Sequence, residues 1–225
     1  MIDGILLVDK EVGITSYDVI RRIKKRFPKD TKIGHTGTLD PFASGLLILL
    51  VGRSATKLME KFHKLEKEYI VDAQFGFETD TQDITGKIIL KDEKKIVPKK
   101  RNIKKSIKEN FLGEISQIPP KYSAKKIKGK KAYELARKNI KFELDPKIVQ
   151  IFKFEILEYK YPNIKLKVIC STGTYVRTLV KDLAKDLGTY ATATNLRRTR
   201  IGQFSVEDIN GSIISVDKVL KILDE

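Results

Sequence analysis

The pattern of apolar and polar positions predicts short strands and helices along the whole chain. Strands are predicted at 4–9, 46–51, 67–77, 87–90, 149–159 and 164–171, with a strand pair at 191–206. Helices are predicted at 16–26, 54–65, 102–112, 131–138 and 176–187, with a terminal helix from Ser215. Thr15 or Ser16 caps the first helix, and Ser54 caps the second. Because strands and helices do not alternate regularly, we expect an α+β fold with a mixed, mostly antiparallel central sheet flanked by helices.

The loop between the first helix and the strand at 46–51 is the most informative segment. It reads Gly34-His35-Thr36-Gly37-Thr38-Leu39-Asp40-Pro41. Two glycines allow tight turns, and threonine hydroxyls can hydrogen-bond the local backbone. Asp40 precedes a proline, which restricts it to an extended conformation. A carboxylate held in this way suits chemistry, although a decorated turn explains the loop equally well when it is considered alone.

Charge is the strongest signal in the composition. The 225 residues carry a formal net charge of +16, which points to a polyanionic partner, most often a nucleic acid. Residues 91–131 hold fifteen lysines and arginines against four acids. The alternative is a lysine-rich face that serves only solvation. Tyr122, Gly129 and Tyr133 within or beside this run favour an RNA-facing element instead.

Composition also excludes several classes of function. Two histidines and one cysteine cannot form a His/Cys zinc site. Neither nucleotide-binding glycine fingerprint is present, and the two S-x-x-K matches lack their partner motifs. No apolar run approaches the ~20 residues of a membrane span, and we identify no signal peptide. A single cysteine, Cys170, favours a reducing compartment, so we expect a cytoplasmic protein.

Three further segments could complete a site around Asp40. Lys67-Glu68-Tyr69 opens a long strand with a phenol, residues 79–83 form a polar turn with two carboxylates, and residues 170–178 join a strand to a helix. The last segment places Arg177 near the helix start. Each also has an ordinary explanation, as a strand aromatic, a hydrogen-bonded turn or a surface charge.

These segments together resemble a known family. The sequences GHTGTLDP, FASGLL, GRSATK, KEY, TDTQDITG, PPKYSAKKIKGKKAYELAR, CSTGTYVRTL and LRRTRIGQF occur in this order. They resemble the bacterial tRNA pseudouridine-55 synthases, the TruB family, from residue 4 to about residue 206. The resemblance implies the pseudouridine synthase fold and conversion of one uridine in the tRNA T-loop to pseudouridine. It implies neither a cofactor nor a metal.

The resemblance also implies roles for individual residues. Asp40 matches the nucleophilic aspartate, Tyr69 the tyrosine that stacks on the target base and acts in proton removal from C5, and Arg177 the arginine that pairs with the aspartate. The residues implied in substrate binding are His35, Tyr175, Leu196, Lys10 and Thr38. A free aspartate has a pKa near ~3.9, so we expect an ionised Asp40 at neutral pH. The target nucleotide must flip out of its loop, at a cost of roughly a few kcal/mol, which stacking on Tyr69 and Tyr175 would offset.

The resemblance predicts the domain organisation as well. We expect one catalytic domain over residues 1–225, with a lysine-rich thumb at about 119–146 that clamps RNA. Few residues follow the GQF segment, so we expect the family's C-terminal PUA-type module to be absent. The expected partner is the tRNA T stem-loop, without membrane or metal, and the expected state is a monomer. A base glycosylase and a non-catalytic RNA-binding or tRNA-folding module remain as alternatives.

Overall fold

A computed structural model describes residues 3–127 and 129–224. The helices are α1 (Ser16–Lys24), α2 (Arg53–Thr56), α3 (Met59–Lys64), α4 (Lys100–Asn110), α5 (Ala132–Arg137), α6 (Val176–Asp186) and α7 (Val216–Asp224). The strands are β1 (Gly4–Lys10), β2 (Ile33–His35), β3 (Ser44–Val51), β4 (Lys67–Phe75), β5 (Phe77–Thr79), β6 (Ile88–Lys91), β7 (Gly113–Gln117), β8 (Lys126–Ile127), β9 (Lys130–Lys131), β10 (Lys147–Lys160), β11 (Asn163–Cys170), β12 (Ala191–Ile201), β13 (Phe204–Ser205) and β14 (Ile213–Ser215).

The predicted fold class is confirmed. Ten of the strands in the described part of the chain belong to one mixed sheet, in which antiparallel pairs predominate. A parallel pair joins β12 to β3, with Arg197 opposite Ser44 and Arg198 opposite Gly45. The chain divides into two compact units, one of residues 1–69 and 197–225 and one of residues 70–196. No helix in the described ranges is long and apolar enough to cross a membrane.

The first unit is organised around β3. This strand pairs antiparallel with β1 and β2, and β1 also pairs with β14. Alternate residues of β3 enter two clusters on opposite faces, one that includes Phe62 of α3 and Val219 of α7, the other with Val19 and Ile20 of α1. Because both faces are covered, β3 is a continuous apolar run rather than an alternating one.

The second unit contains most of β4 followed in the sheet by β11, β10 and β7, and β10 pairs antiparallel with both β11 and β7. The predicted hairpin of β10 and β11 is confirmed, with Ile151 opposite Cys170 and Lys160 opposite Asn163. Helix α4 contacts both β10 and α6. The thumb region holds the β8–β9 pair and α5, which confirms the short helix predicted there. The division into one catalytic domain with an RNA-clamping insertion stays a prediction.

Two predicted elements are broken by backbone geometry. The helix expected over 54–65 is two short helices, α2 and α3, and Ser54 is not its cap. Gly52 occupies the N-cap of α2 at a φ of 90° and provides no side-chain hydrogen bond. The strand expected over 67–77 is interrupted at Gly76, whose φ of 106° favours glycine and separates β4 from β5.

Candidate active site

The loop that carries Asp40 is fixed on both sides by hydrogen bonds from the α1 region. The Leu39 amide donates to Ser16 Oγ at 2.9 Å, and Ser16 Oγ donates to the Leu39 carbonyl at 3.3 Å. The Gly13 amide donates to the Pro41 carbonyl at 2.8 Å. The sequence predicted that either Thr15 or Ser16 caps the first helix, and the two residues have different roles. Thr15 caps α1, and the buried Ser16 holds the loop.

Arg198 joins the two ends of the same loop from within the first unit. Its Nε donates to the Leu46 carbonyl at 2.8 Å and its Nη2 to the Gly37 carbonyl at 3.1 Å. The side chain is buried, with 1% of the residue's surface exposed. Gly45 packs against its backbone, and a Cβ there would lie 2.2 Å from the Arg198 carbonyl oxygen. One guanidinium therefore connects the chain before Asp40 to the chain after it.

Lys10 is a second buried cation near the aspartate. Its ammonium donates to the carbonyls of Glu11 and Ile14, each at 2.9 Å. Burial lowers the pKa of Lys10 from 10.5 to about 8, while the charge of Asp40 acts in the opposite direction and that of Arg198 adds to the lowering. Lys10 therefore stabilises the N-terminal loop directly and interacts with Asp40 through charge.

His35 is the last residue of β2 and Thr38 lies on the loop that follows, and the two side chains have different surroundings. Burial, followed by the charges of Arg198 and His63, lowers the pKa of His35, so the ring is held neutral. Its buried Nδ1 atom has no hydrogen-bond partner among the described residues. Thr38 is exposed. A neutral imidazole adds no further charge to a region that already holds the charges of Lys10 and Arg198.

Tyr69 lies on β4 directly after two anchored residues and is partly buried. The Lys67 ammonium donates to three carbonyls in and just after α3, including that of Leu65 at 2.5 Å. The Glu68 carboxylate accepts a hydrogen bond of 2.9 Å from Thr199 Oγ1. The backbone that presents the phenol is therefore tied to α3 on one side and to β12 on the other.

Arg177 occupies the first turn of α6, in the second unit, and only 3% of its surface is exposed. Its Nη1 lies 3.4 Å from Asp83 Oδ2 and donates to the Thr81 carbonyl. Its Nη2 donates to the Tyr122 carbonyl at 3.0 Å. The arginine thus joins the 79–86 turn to the thumb. The implied pairing of Arg177 with Asp40 stays a prediction.

Asp83 is the centre of that polar turn. Its Oδ1 accepts hydrogen bonds from Thr81 Oγ1 at 3.0 Å and from the Thr85 amide and hydroxyl at 3.0 and 2.5 Å. Its other oxygen faces Arg177. A buried charge is tolerated when it is paired and hydrogen-bonded, which describes both members of this pair. The TDTQD segment is therefore a support for the arginine.

Tyr175 and Leu196 also lie in the second unit. Tyr175 is the N-cap residue of α6, and Gln117 holds its backbone from both sides. The Tyr175 amide donates to Gln117 Oε1 at 2.7 Å, and Gln117 Nε2 donates to the Tyr175 carbonyl at 3.1 Å. Leu196 is buried within β12. Gln117 therefore fixes the backbone two residues before Arg177.

Sequence reasoning assigned no role to Arg198 or Gln117. A signal for Arg198 was available, because it alternates with buried Leu196 along one strand and so falls on the buried face. Nothing in the sequence near Gln117 indicates that it contacts Tyr175, since the two are far apart along the chain. Among the described residues, no group of three or more His, Cys, Asp or Glu side chains could hold a metal ion.

The comparisons with known proteins agree with one another. Residues 24–176 match the family model described as TruB family pseudouridylate synthase, N terminal domain. The chain is 47% identical to the tRNA pseudouridine synthase B of Caldicellulosiruptor saccharolyticus over 98% of this chain and 75% of that protein. It is 46% identical to the protein of the same name from Fusobacterium nucleatum over 91% of this chain and 70% of that protein.

A solved structure shares the fold. The crystal structure of a Cbf5–Nop10–Gar1 complex contains a chain that superposes with a TM-score of 0.68 at 27% identity, over 97% of this chain and 54% of that one. This chain therefore spans about half the length of that structure's chain. From its sequence match over more than half its length, its relatives and its fold, the chain belongs to the TruB family of pseudouridine synthases.

Proposed function

We propose that this protein converts uridine 55 in the T-loop of tRNA to pseudouridine, with Asp40 as the reacting carboxylate. The observation that carries the proposal is the loop around Asp40. Its neighbours Leu39 and Pro41 are hydrogen-bonded to the α1 region, and Arg198 bridges its ends. A preorganised charged group needs little reorganisation during reaction, which is the main source of electrostatic catalysis.

The reaction is an isomerisation, so its atoms balance within the nucleoside. The bond between N1 and C1′ breaks, the base rotates, and a bond forms between C5 and C1′. The proton on C5 is lost and N1 gains one. Attack by Asp40 on the sugar, attack on the base and removal of a ribose proton all require an ionised, fixed carboxylate. No oxidant, reductant or co-substrate is needed for the balance.

Tyr69 and Arg177 complete the proposed chemistry. Tyr69 stacks on the flipped base, an interaction worth roughly 1–3 kcal/mol, and assists removal of the C5 proton. Arg177 keeps the carboxylate ionised as water leaves the site, because an opposite charge nearby favours the charged form. His35, Thr38, Tyr175, Leu196 and Lys10 surround the nucleotide or support the loop that holds it.

A groove in the second unit supports RNA binding by the thumb. It has a volume of about 1010 Å³, and its lining includes residues 119–122 and 139–143 of the thumb together with Asp80 and Lys181. The Tyr122 hydroxyl donates to Asp80 at 3.4 Å. We propose that residues 119–146 clamp the T stem-loop, and that the protein acts as a cytoplasmic monomer.

A map of modified uridines tests this function. Unmodified tRNA is incubated with the protein, and pseudouridine is located by chemical mapping and mass spectrometry, while free uracil is measured in the same sample. We expect pseudouridine at position 55 and no uracil. Released uracil would indicate a glycosylase, and tRNA binding with neither product would indicate a non-catalytic module.

A further inference from the structure

Helix α4 in the second unit carries an unusual concentration of exposed positive charge. Its N-cap and its helical residues include six cations: Lys99, Lys100, Arg101, Lys104, Lys105 and Lys108. Lys105 lies 4.0 Å from Glu109, the one acid in the helix. Within the described ranges, no carboxylate forms an ion pair with Lys100, Lys104 or Lys108. These three, spaced four residues apart, form a stripe that we call the α4 stripe.

This arrangement costs the protein stability. Like charges four residues apart on a helix destabilise it, and the α4 stripe contains two such pairs. The N-terminal end of the helix begins with Lys99, Lys100 and Arg101 and has no acid in its first turn. Cations at that end interact unfavourably with the helix dipole. A solvated face gains nothing from placing its charges so unfavourably.

The apolar face of α4 is used in packing. Ile103 and Ile107 are buried, Ser106 Oγ donates to Asp186 at 2.6 Å, and Asn110 donates to the same carboxylate at 3.1 Å. An amphipathic helix binds a bilayer by burying its apolar face in the membrane interface. Because that face is already occupied here, the exposed cations suit a partner that is bound by charge alone, and a phosphate backbone is such a partner.

The contact with Asp186 also locates α4 relative to Arg177. Both residues belong to α6, Arg177 in its first turn and Asp186 at its end. At 1.5 Å per residue, they are separated by about 14 Å along the helix axis. The packed side of α4 therefore lies at the end of α6 distant from Arg177. RNA bound to α4 would therefore contact the protein away from Arg177.

We propose that the α4 stripe binds phosphates of the tRNA at a position outside the T-loop, and that the protein retains these charges at a cost in folding stability. The proposal rests on the proposed function, since it takes the same substrate. In this proposal, α4 contributes to the affinity for tRNA and not to the chemical step. Its distinctive consequence is that removing the charges weakens RNA binding while stability stays equal or rises.

The test compares two triple variants of equal charge. The first is Lys100→Gln, Lys104→Gln, Lys108→Gln. The control is Lys25→Gln, Lys218→Gln, Lys221→Gln, three exposed lysines of the first unit. Dissociation constants for unmodified tRNA are measured from low to moderate salt, together with Tm and the turnover rate at saturating tRNA. Binding to anionic phosphatidylserine vesicles is measured for the same proteins.

For the α4 variant we expect affinity to fall on the order of tenfold at ~0.1 M salt. The slope of log affinity against log salt should shrink by roughly 2–3, because about one counterion is released per phosphate contact. Its Tm should equal or exceed that of the wild type, and turnover at saturation should be unchanged. The control variant should retain most of the wild-type affinity and slope.

Three results would overturn the proposal. They are an unchanged affinity and slope for the α4 variant, an equal loss in the control variant, and a loss of binding to anionic phosphatidylserine vesicles without a loss for tRNA. A failure of the proposed function is seen separately, as wild-type protein that forms no pseudouridine. The affinity of the α4 variant does not depend on that result.

Discussion

The Asp40 loop and helix α4 both depend on cations, but they use them in opposite ways. Near Asp40, the cations of Lys10 and Arg198 are buried and each donates to two backbone carbonyls. On α4, the cations of the α4 stripe are exposed and end in solvent. The buried cations fix the backbone of the Asp40 loop, and the exposed cations create a positive electrostatic potential at the surface.

The difference follows from the cost of charge in each environment. Burying a cation costs several kcal/mol unless hydrogen bonds and charges compensate, so the buried cations must occupy defined positions. An exposed cation costs less than a buried one, and salt screens its interactions beyond about 10 Å. Buried cations are therefore expected to affect the rate of the chemical step, and exposed cations the affinity for RNA.

Replacement of the carboxylate should have the largest effect. Asp40→Asn keeps the size of the side chain but removes its charge, so we expect the release of tritium from tRNA containing 5-³H-uridine to fall by at least ~10³-fold. Binding of tRNA should persist, because the exposed cations are unchanged. Asp30→Asn, an exposed position in the same unit, is the matched control and should turn over normally. A parallel loss of binding and turnover in Asp40→Asn would contradict the nucleophile assignment.

The next largest effect is expected at Arg198. Lysine keeps the charge, but its compact ammonium cannot reproduce the planar fork that reaches both Gly37 and Leu46. We expect Arg198→Lys to lower kcat by about 10–100-fold with little change in KM, because small displacements of a reacting group cost that much. The measurement is steady-state kinetics on unmodified tRNA.

Arg197→Lys is the control for this prediction. Arg197 is the adjacent residue of the same strand and forms a surface ion pair with Asp9 at 2.6 Å. Surface pairs contribute about 0–1 kcal/mol, so its kinetics should resemble those of the wild type. A rise in KM without a fall in kcat for Arg198→Lys would place Arg198 in substrate binding and remove it from loop positioning.

The smallest effect concerns stability as a function of pH. The folded pKa of Lys10, about 8, is below its ordinary value of 10.5. Between these values the unfolded chain binds more protons, so the free energy of unfolding should rise as the pH increases from 8 to 10.5. Lys10→Met should lack this rise. Urea titrations at several pH values measure the free energy of unfolding of both proteins. The same pH dependence in both would show that burial does not lower the pKa of Lys10.

The sequence predicted the elements that depend on local pattern. The apolar run 46–51 and the capped first helix appear as β3 and α1, because continuous burial and a capping threonine leave clear signals. The interruption of the predicted strand at Gly76 was missed because an isolated glycine within a regular pattern does not show whether its φ is positive.

Candidate site residues could be proposed from the sequence where a local pattern marks them, and not where their contacts lie far away along the chain. Asp40 was identified from an unusual loop, and Arg177 from the start of a helix. Arg198 bonds to residues more than 150 positions earlier, and Gln117 to Tyr175, 58 positions later. Such supports are set by strand pairing and packing, which a single sequence does not specify.

One measurement tests the separation between buried and exposed cations most directly. Single-turnover rates of pseudouridine formation are recorded against tRNA concentration for the wild type, Arg198→Lys and the triple α4 variant. We predict that Arg198→Lys lowers the maximal rate without moving the half-saturating concentration, and that the α4 variant raises the half-saturating concentration without changing the maximal rate. Parallel changes in both quantities in both variants would contradict this account.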